Sequence, residues 1–273
     1  MEKIEKNLYK EYFETLKYYL TILNIDKDKR ILGCTEEEIE SIKSKKENFP
    51  LAYEEFLRSI GKSFLFEFMN AENMAFEDLD YINEFANEVF SNNSLELEDE
   101  FVVISERRND YISLIFTENE NPQVWIMSEC WDKKNGENLS IRTESFTDLM
   151  NLFFREILQN HTASFHFVSS KIKDTEKYIR NKYICWVKGL NQIKEKIDDN
   201  KNDNSLVNQL NQYFLNYYLP NKNTFDKILN DNKPEQSNKK SGKITTEDSK
   251  IQQKKYNSEK KQSLLKVFLN FFK

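Results

Sequence analysis

The sequence predicts an α+β domain over residues 1–165, a small antiparallel sheet flanked by helices, followed by a helical extension and a flexible tail. The first reason is a change of period. Apolar residues recur at helical spacing as far as Val89, then give way to three short apolar runs separated by polar turns, and then return to helical spacing. The second is composition. The 273 residues include 21 Phe and 13 Tyr, which supply an ample core, whereas 5 Gly and 4 Pro leave few tight turns and no glycine-rich phosphate cradle.

Ile4, Leu8, Tyr12, Leu16, Tyr19 and Leu23 predict an amphipathic helix over 3–24. In Gly33-Cys34-Thr35-Glu36-Glu37-Glu38-Ile39, Thr35 and Glu38 have the spacing of a capping box, so a helix is expected over about 36–46. The acidic residues there suit the positive end of its dipole. Pro50 fits the first helical position, where its missing N–H costs nothing. Tyr53, Phe56, Leu57 and Ile60 then form one apolar face, and Gly61 is a natural stop. Leu79, Ile82, Phe85, Ala86 and Val89 predict a helix within 76–90.

Strands are expected at 101–104, 111–116 and 124–127, with a fourth near 139–142 after the turn Asp132-Lys133-Lys134-Asn135-Gly136. Ser145 and Asp148 cap a closing helix that carries Phe146, Leu149, Phe153 and Ile157. Residues 166–230 read as a helical extension. A long helix is expected from 170 to 198, and another holds Leu206, Leu210, Phe214 and Tyr218 and ends at Pro220. Residues 231–262, rich in Lys, Ser, Gln and Asn, are expected to be a disordered linker. Residues 263–273 form a short apolar segment, expected to fold back onto the protein rather than lie on a membrane.

The net charge of −6 conceals a division. Residues 1–160 hold 18 Lys and Arg against 34 Asp and Glu, whereas residues 161–273 hold 22 against 12. The acidic front should repel nucleic acid. No apolar run is long enough to span a membrane, and the charged N-terminus does not read as a secretory signal. Cys34, Cys130 and Cys185 are far apart and odd in number. They suggest no disulfide framework, a reducing cytoplasmic setting, and thiols that serve as small buried or half-buried apolar groups.

The order of capped helix, Pro-started helix, strands and closing helix resembles the SUKH superfamily. The likeness is carried by Gly33-Cys34-Thr35-Glu36-Glu37-Glu38-Ile39-Glu40 and by Phe49-Pro50-Leu51-Ala52-Tyr53-Glu54-Glu55-Phe56-Leu57-Arg58-Ser59-Ile60-Gly61. The strand block from Phe101 to Met127 and the Ser145-Phe146 helix fit in order. The chain departs from that pattern at Glu106-Arg107-Arg108-Asn109-Asp110-Tyr111, where many relatives have a Gly-Tyr or aromatic-rich segment, and in the length beyond 165. The resemblance implies a non-enzymatic function of the immunity type. Such a protein binds and neutralises a cognate bacterial toxin, often a nuclease.

No nucleotide-binding or nucleophile motif is present, and His161 and His166 lack the spacing of a helical zinc pair. No catalytic residue, metal or cofactor is therefore expected. A site assembled from Cys130, His161, His166 and Cys185 has no support from spacing. The candidate partner-binding residues are Glu96, Glu98, Asp99 and Glu100 before the first strand, Glu118 and Glu120 in the next turn, and Glu129 and Trp131 after the third strand. An acidic surface matches the basic cleft of a nuclease, and Trp is favoured at binding hot spots. Trp125, inside a strand, reads as core. The alternative is an adaptor or regulatory scaffold that recruits a partner through its helical extension and basic tail.

Overall fold

The computed structural model describes residues 2–25, 31–63, 72–93, 96–128, 139–168, 173–199 and 203–231, without the side chains of 2–6, 161–168, 173–180 and 231. Of the linker expected over 231–262 only Asp231 is described, as the last residue of a helix, and the 263–273 segment lies outside the described residues. Residues 1–232 cluster as one unit. Its elements are helices α1 (Glu2–Ile22), α2 (Glu36–Lys43), α3 (Leu51–Ser59) and α4 (Leu79–Asn93, preceded by a 3-10 turn Phe76–Asp78). Strands β1 (Phe101–Arg107), β2 (Tyr111–Phe116), β3 (Val124–Ser128) and β4 (Ser140–Thr143) follow, and then helices α5 (Phe146–Val168), α6 (Lys173–Asp199) and α7 (Ser205–Asp231). The α+β class predicted from periodicity is the observed one.

The strands form an antiparallel meander in the order β1-β2-β3-β4. Phe101 pairs with Phe116, and Arg107 pairs with Tyr111 across a tight turn. Arg108 and Asn109 there take φ of 48° and 57°. They are the two central residues of a left-handed turn that the Asp110 N–H closes on the Arg107 carbonyl at 2.8 Å, within a three-residue connection. One sheet face packs on a large cluster with Tyr12, Phe13, Phe56, Phe146 and Phe153, from α1, α3 and α5. The other face, with Val103, Ile112 and Met127, packs on Ile82, Phe85, Ala86 and Val89 of α4.

The caps form as their residues dictate. The Thr35 N–H donates to Glu38 Oε2 (2.8 Å) and the Glu38 N–H to Thr35 Oγ1 (3.2 Å). Asp148 N–H donates to Ser145 Oγ at 3.1 Å. Pro50 stands one residue before its expected place, as the N-cap of α3. It offers no side-chain acceptor, and the free Ala52 N–H donates instead to the Glu120 carbonyl in the β2–β3 turn (2.9 Å). Residues 32–34 run closely along the end of α3, with Cys34 N–H donating to Leu57 O at 2.8 Å. A Cβ at Gly33 would lie 1.7 Å from the Arg58 carbonyl oxygen, so only glycine permits this approach.

Three buried carboxylates are held by cations. Glu54 and Glu55 meet Arg58 at 2.9 and 2.5 Å, and Lys43 reaches Glu54 at 3.0 Å. The same guanidinium makes a two-pronged pair with Glu36 (2.8 and 2.9 Å), which ties α2 to α3. Under the sheet, Glu72 accepts from Arg142 Nη1 (2.6 Å), Ser105 Oγ (2.5 Å), Ser113 Oγ (3.2 Å) and Tyr111 OH (3.2 Å). A register shift between Val103 and Ser105 sets Ser105 opposite Ser113, so both hydroxyls reach this carboxylate.

The rear helices differ from expectation at Pro220, which does not end a helix. α7 runs through it to Asp231. Beyond it the buried Phe225 ring lies 5.8 Å from Tyr218 and 6.1 Å from Tyr217. The Asn221 side-chain amide donates to the Tyr217 carbonyl at 2.8 Å. This packing and re-bonding outweigh the loss of one helical hydrogen bond. α7 starts at Asn204, whose Oδ1 accepts from the N–H groups of Leu206 (2.9 Å) and Val207 (3.2 Å). Both α6 and α7 rest on α1: Tyr19 OH donates to Asn211 Oδ1 (2.6 Å), and a Cβ at Gly189 would meet the Ile22 carbonyl at 2.8 Å. Cys34 is buried as expected, but Cys185 is exposed, because its position on α6 faces away from α1 and α7. Cys130 lies outside the described residues.

Two stability outcomes follow. Gly33→Ala should cost about 1–3 kcal/mol in urea unfolding, because its Cβ displaces backbone. Arg142→Met should cost about 3–5 kcal/mol by leaving Glu72 buried without its cation, and pairing it with Glu72→Met should restore much of that loss.

Candidate protein-interaction surface

The site begins at one end of the sheet. Because Phe101 opposes Phe116, the segment before β1 and the turn after β2 emerge side by side, and Thr117 N–H donates to the Glu100 carbonyl at 3.0 Å. Glu96, Glu98 and Asp99 are exposed on the first of these, and Glu118 and Glu120 on the second. The turn is held rigid from beneath. Asn121 Nδ2 donates to Thr147 Oγ1 (2.9 Å), its Oδ1 accepts from the Thr147 N–H (3.1 Å), and the Glu120 carbonyl caps α3.

Glu100 has a different role from its neighbours. Its half-buried carboxylate accepts from the N–H groups of Glu47 (3.1 Å) and Asn48 (3.4 Å) and from the Thr117 hydroxyl (3.1 Å). Desolvation pushes its pKa up, but these donors and nearby Lys46 outweigh that and hold it below the ordinary carboxylate range. Glu100 therefore fastens the α2–α3 connection to the sheet end and is not a free charge on the surface.

Trp125, expected in the core, is half-buried, with its ring edge-on to Phe116 at 5.9 Å. Glu129 and Trp131 lie outside the described residues. Ser128, which precedes them, pairs with Tyr111 at the end of the sheet opposite Glu118 and Glu120. His161 and His166 fall on the last turns of α5, where side chains are not described. Among the described residues no group of three His, Cys, Asp or Glu side chains is placed to hold a metal ion. No helix among them is long and apolar enough to cross a membrane.

The acidic surface extends further than the loops predicted from sequence. Between Lys62 and Arg107 the chain has twelve Asp and Glu and no Lys or Arg. With its apolar side turned to the sheet, α4 presents Asp80, Glu84 and Glu88 to solvent beside Tyr81, which is 47% exposed. Tyr81 OH donates to Asn109 Oδ1 at 2.8 Å. Partial burial first, and then the charges of Glu106, Glu88 and Glu84, push its phenol up. α4 leads directly toward the 96–100 segment, with Phe90 edge-on to Phe101 at 5.4 Å. The signal for this extension was the absence of any base over that stretch, not the local clusters of acids.

Burial and the charges of Glu72 and Asp78 raise the Glu106 carboxyl against one hydrogen bond from the Asn109 N–H (3.3 Å). A carboxyl raised on folding binds its proton more tightly in the native state. Its stabilising effect is complete below the ordinary carboxylate pKa and is lost as pH rises through the folded value. Glu100 has the opposite sign: its contribution stands above the ordinary range and is lost as pH falls through its depressed value. In urea unfolding across pH, Glu106→Gln should therefore raise stability at pH 7. Glu100→Gln should lower stability at pH 7 and make little difference under acid conditions.

No curated protein and no solved structure matches the chain. Residues 33–152 match the SMI1 / KNR4 family (SUKH-1), a span from the approach to α2 through the sheet and into α5. It takes in the capping box of α2, the Pro-led α3, the acid-bearing α4 and all four strands. Residues 33–152 therefore form a SUKH-1 domain of the SMI1 / KNR4 family, within the SUKH superfamily.

Proposed function

We propose that this chain is a cytoplasmic binding protein that captures a basic protein partner on the acidic end of its SUKH-1 domain, and that it performs no chemistry on that partner. The reading extends to a cognate bacterial toxin, with a nuclease as the favoured class. SUKH domains commonly belong to immunity proteins. A nuclease also carries a basic cleft for phosphate, which is the complement of this surface.

One observation carries the proposal. Five exposed carboxylates, Glu96, Glu98, Asp99, Glu118 and Glu120, project from two adjoining segments braced to the body of the domain, and the field continues along α4. Complementary fields of this kind accelerate encounter and set orientation. A braced surface also loses little conformational entropy when it docks. Glu100 supports the surface by fixing its base. Glu129 and Trp131 are tested separately, since the strand before them leaves from the other end of the sheet.

The test is co-expression with the product of each neighbouring gene, followed by size-exclusion chromatography and measured binding kinetics. A toxic neighbour should be neutralised and co-elute with this chain. Glu118→Lys with Glu120→Lys should slow association by roughly tenfold or more, and added salt should shrink the difference from wild type. Cell death despite co-expression with every neighbour, with no complex formed, would overturn the reading.

A further inference from the structure

A groove of about 510 Å³ opens between α2, α4 and β1, adjoining the acidic face. It lies over the seam between the two hydrophobic clusters, because Phe76 and Ile42 pack on one while Leu79, Phe90 and Phe101 pack on the other. Its floor is therefore partly exposed apolar and aromatic surface. The walls differ in charge. Glu77 and Asp80 stand exposed on the α4 side, with Glu84 and Glu88 farther along the helix. Glu77 also accepts from Ser63 Oγ at 3.1 Å. Lys45 and Lys46 stand on the α2 side, and Lys46 Nζ lies 5.7 Å from the centre of the Phe101 ring.

We propose that this groove is a docking site for an amphipathic, cationic segment of a protein partner. Large apolar side chains of that segment pack onto the surface that Phe90, Phe101 and Leu79 form, and its Lys or Arg residues lie along the carboxylates of α4. The inference rests on the binding function proposed above and names the kind of segment recognised. The volume is within the roughly 300–1,000 Å³ typical of clefts that enclose compact organic groups, so it suits inserted side chains rather than a whole helix. Charge complementarity sets the sign. Within the groove Glu77 and Asp80 face the two lysines, and the α4 side continues the negative row past the groove through Glu84 and Glu88, in the long stretch without a base. The lysine wall makes the groove polar across its width, so the occupant is seated in one direction.

The test needs no toxin. A fluorescein-labelled synthetic peptide of Leu, Phe and Lys with a single apolar stripe is titrated against the full chain by fluorescence anisotropy. Two controls run beside it, the same peptide with Glu in place of Lys and an oligolysine of equal charge. The Lys peptide should bind at least roughly tenfold more tightly than either control. Glu77→Lys with Asp80→Lys should weaken it by a similar factor, whereas Lys45→Ala with Lys46→Ala should tighten it. Asn83→Trp, at an exposed position on the groove wall, should block entry while leaving the thermal melt unchanged. Equal binding of oligolysine, preference for the Glu peptide, or indifference to Asn83→Trp would overturn the proposal. If a partner from a neighbouring gene binds the wild-type chain and Asn83→Trp equally well, the groove assignment falls and the binding function stands.

Discussion

Four aromatic rings from three helices make the contact on which the other layers stand. Phe13 of α1, Tyr53 and Phe56 of α3, and Phe146 of α5 meet beneath the sheet. Phe56 and Phe146 lie 5.4 Å apart, Tyr53 and Phe146 5.5 Å, and Phe13 and Phe56 6.0 Å. Most of these pairs are edge-on, the arrangement that the ring quadrupole favours. Each fully buried ring contributes about 1.5–3 kcal/mol through removal of apolar surface from water. Phe13 lies outside the family-matched residues, whereas the other three lie within them. The SUKH-1 core is thus completed by a helix that precedes it. α1 then turns its other face to the rear, where Tyr19 stacks on Phe154 at 5.8 Å and lies 6.2 Å from Phe214 of α7.

This stacking determines which surfaces remain available. α7 and α6 lie on α1, α1 lies under one face of the sheet, and α4 covers the other face. The rear helices bury their apolar sides at the far side of the domain from α4. Nothing among the described residues of α6 or α7 therefore competes for the acidic face. The charge division along the sequence corresponds to this arrangement. The acids gather where a surface is presented, and three of the four buried acids among the described residues, Glu54, Glu55 and Glu72, are each met by a cation. Replacing such a pair with apolar groups is often tolerated, while removing one partner is not. Their role here is to connect elements distant in sequence: Glu72 and Arg142 join the segment before α4 to β4, and Arg58 joins α3 to α2.

Much of this was legible in the sequence where the signal is local. Thr35 with Glu38 and Ser145 with Asp148 marked helix starts because a cap involves residues three apart. β1 and β2 appeared as apolar, β-branched runs because each is buried on both faces. The misreadings came where distant contacts decide the outcome. Pro220 is an ordinary helix stop, but Phe225, one turn beyond, finds a buried place against α7's own aromatics and the rest of the core, so the helix continues. The Glu72–Arg142 pair spans seventy positions, and no spacing rule links them. Of the candidate surface, the exposed loop acids were readable from charge alone. Glu100 was grouped with them, yet it points inward, because the N–H groups of Glu47 and Asn48 only become its neighbours after folding. The α4 face was written in the sequence as a long run without Lys or Arg, and a reading that looked for clusters of acids passed over it.

The two features of the proposed surface act over different ranges, and that separates their contributions to binding. At physiological salt, charge acts over about 8 Å, so the exposed carboxylates govern encounter and orientation but hold a complex weakly on their own. An apolar groove acts only in contact, where displaced water and close packing lengthen the lifetime of the complex. Here the acids of α4 form one wall of the groove whose floor is Phe90 and Phe101. In the proposed binding, a partner drawn in along the acidic face arrives at the apolar site in register. A surface with charge alone would accept many basic proteins, and a groove alone would find its partner slowly. Under the proposed function, requiring both on the same helix would give specificity for one partner.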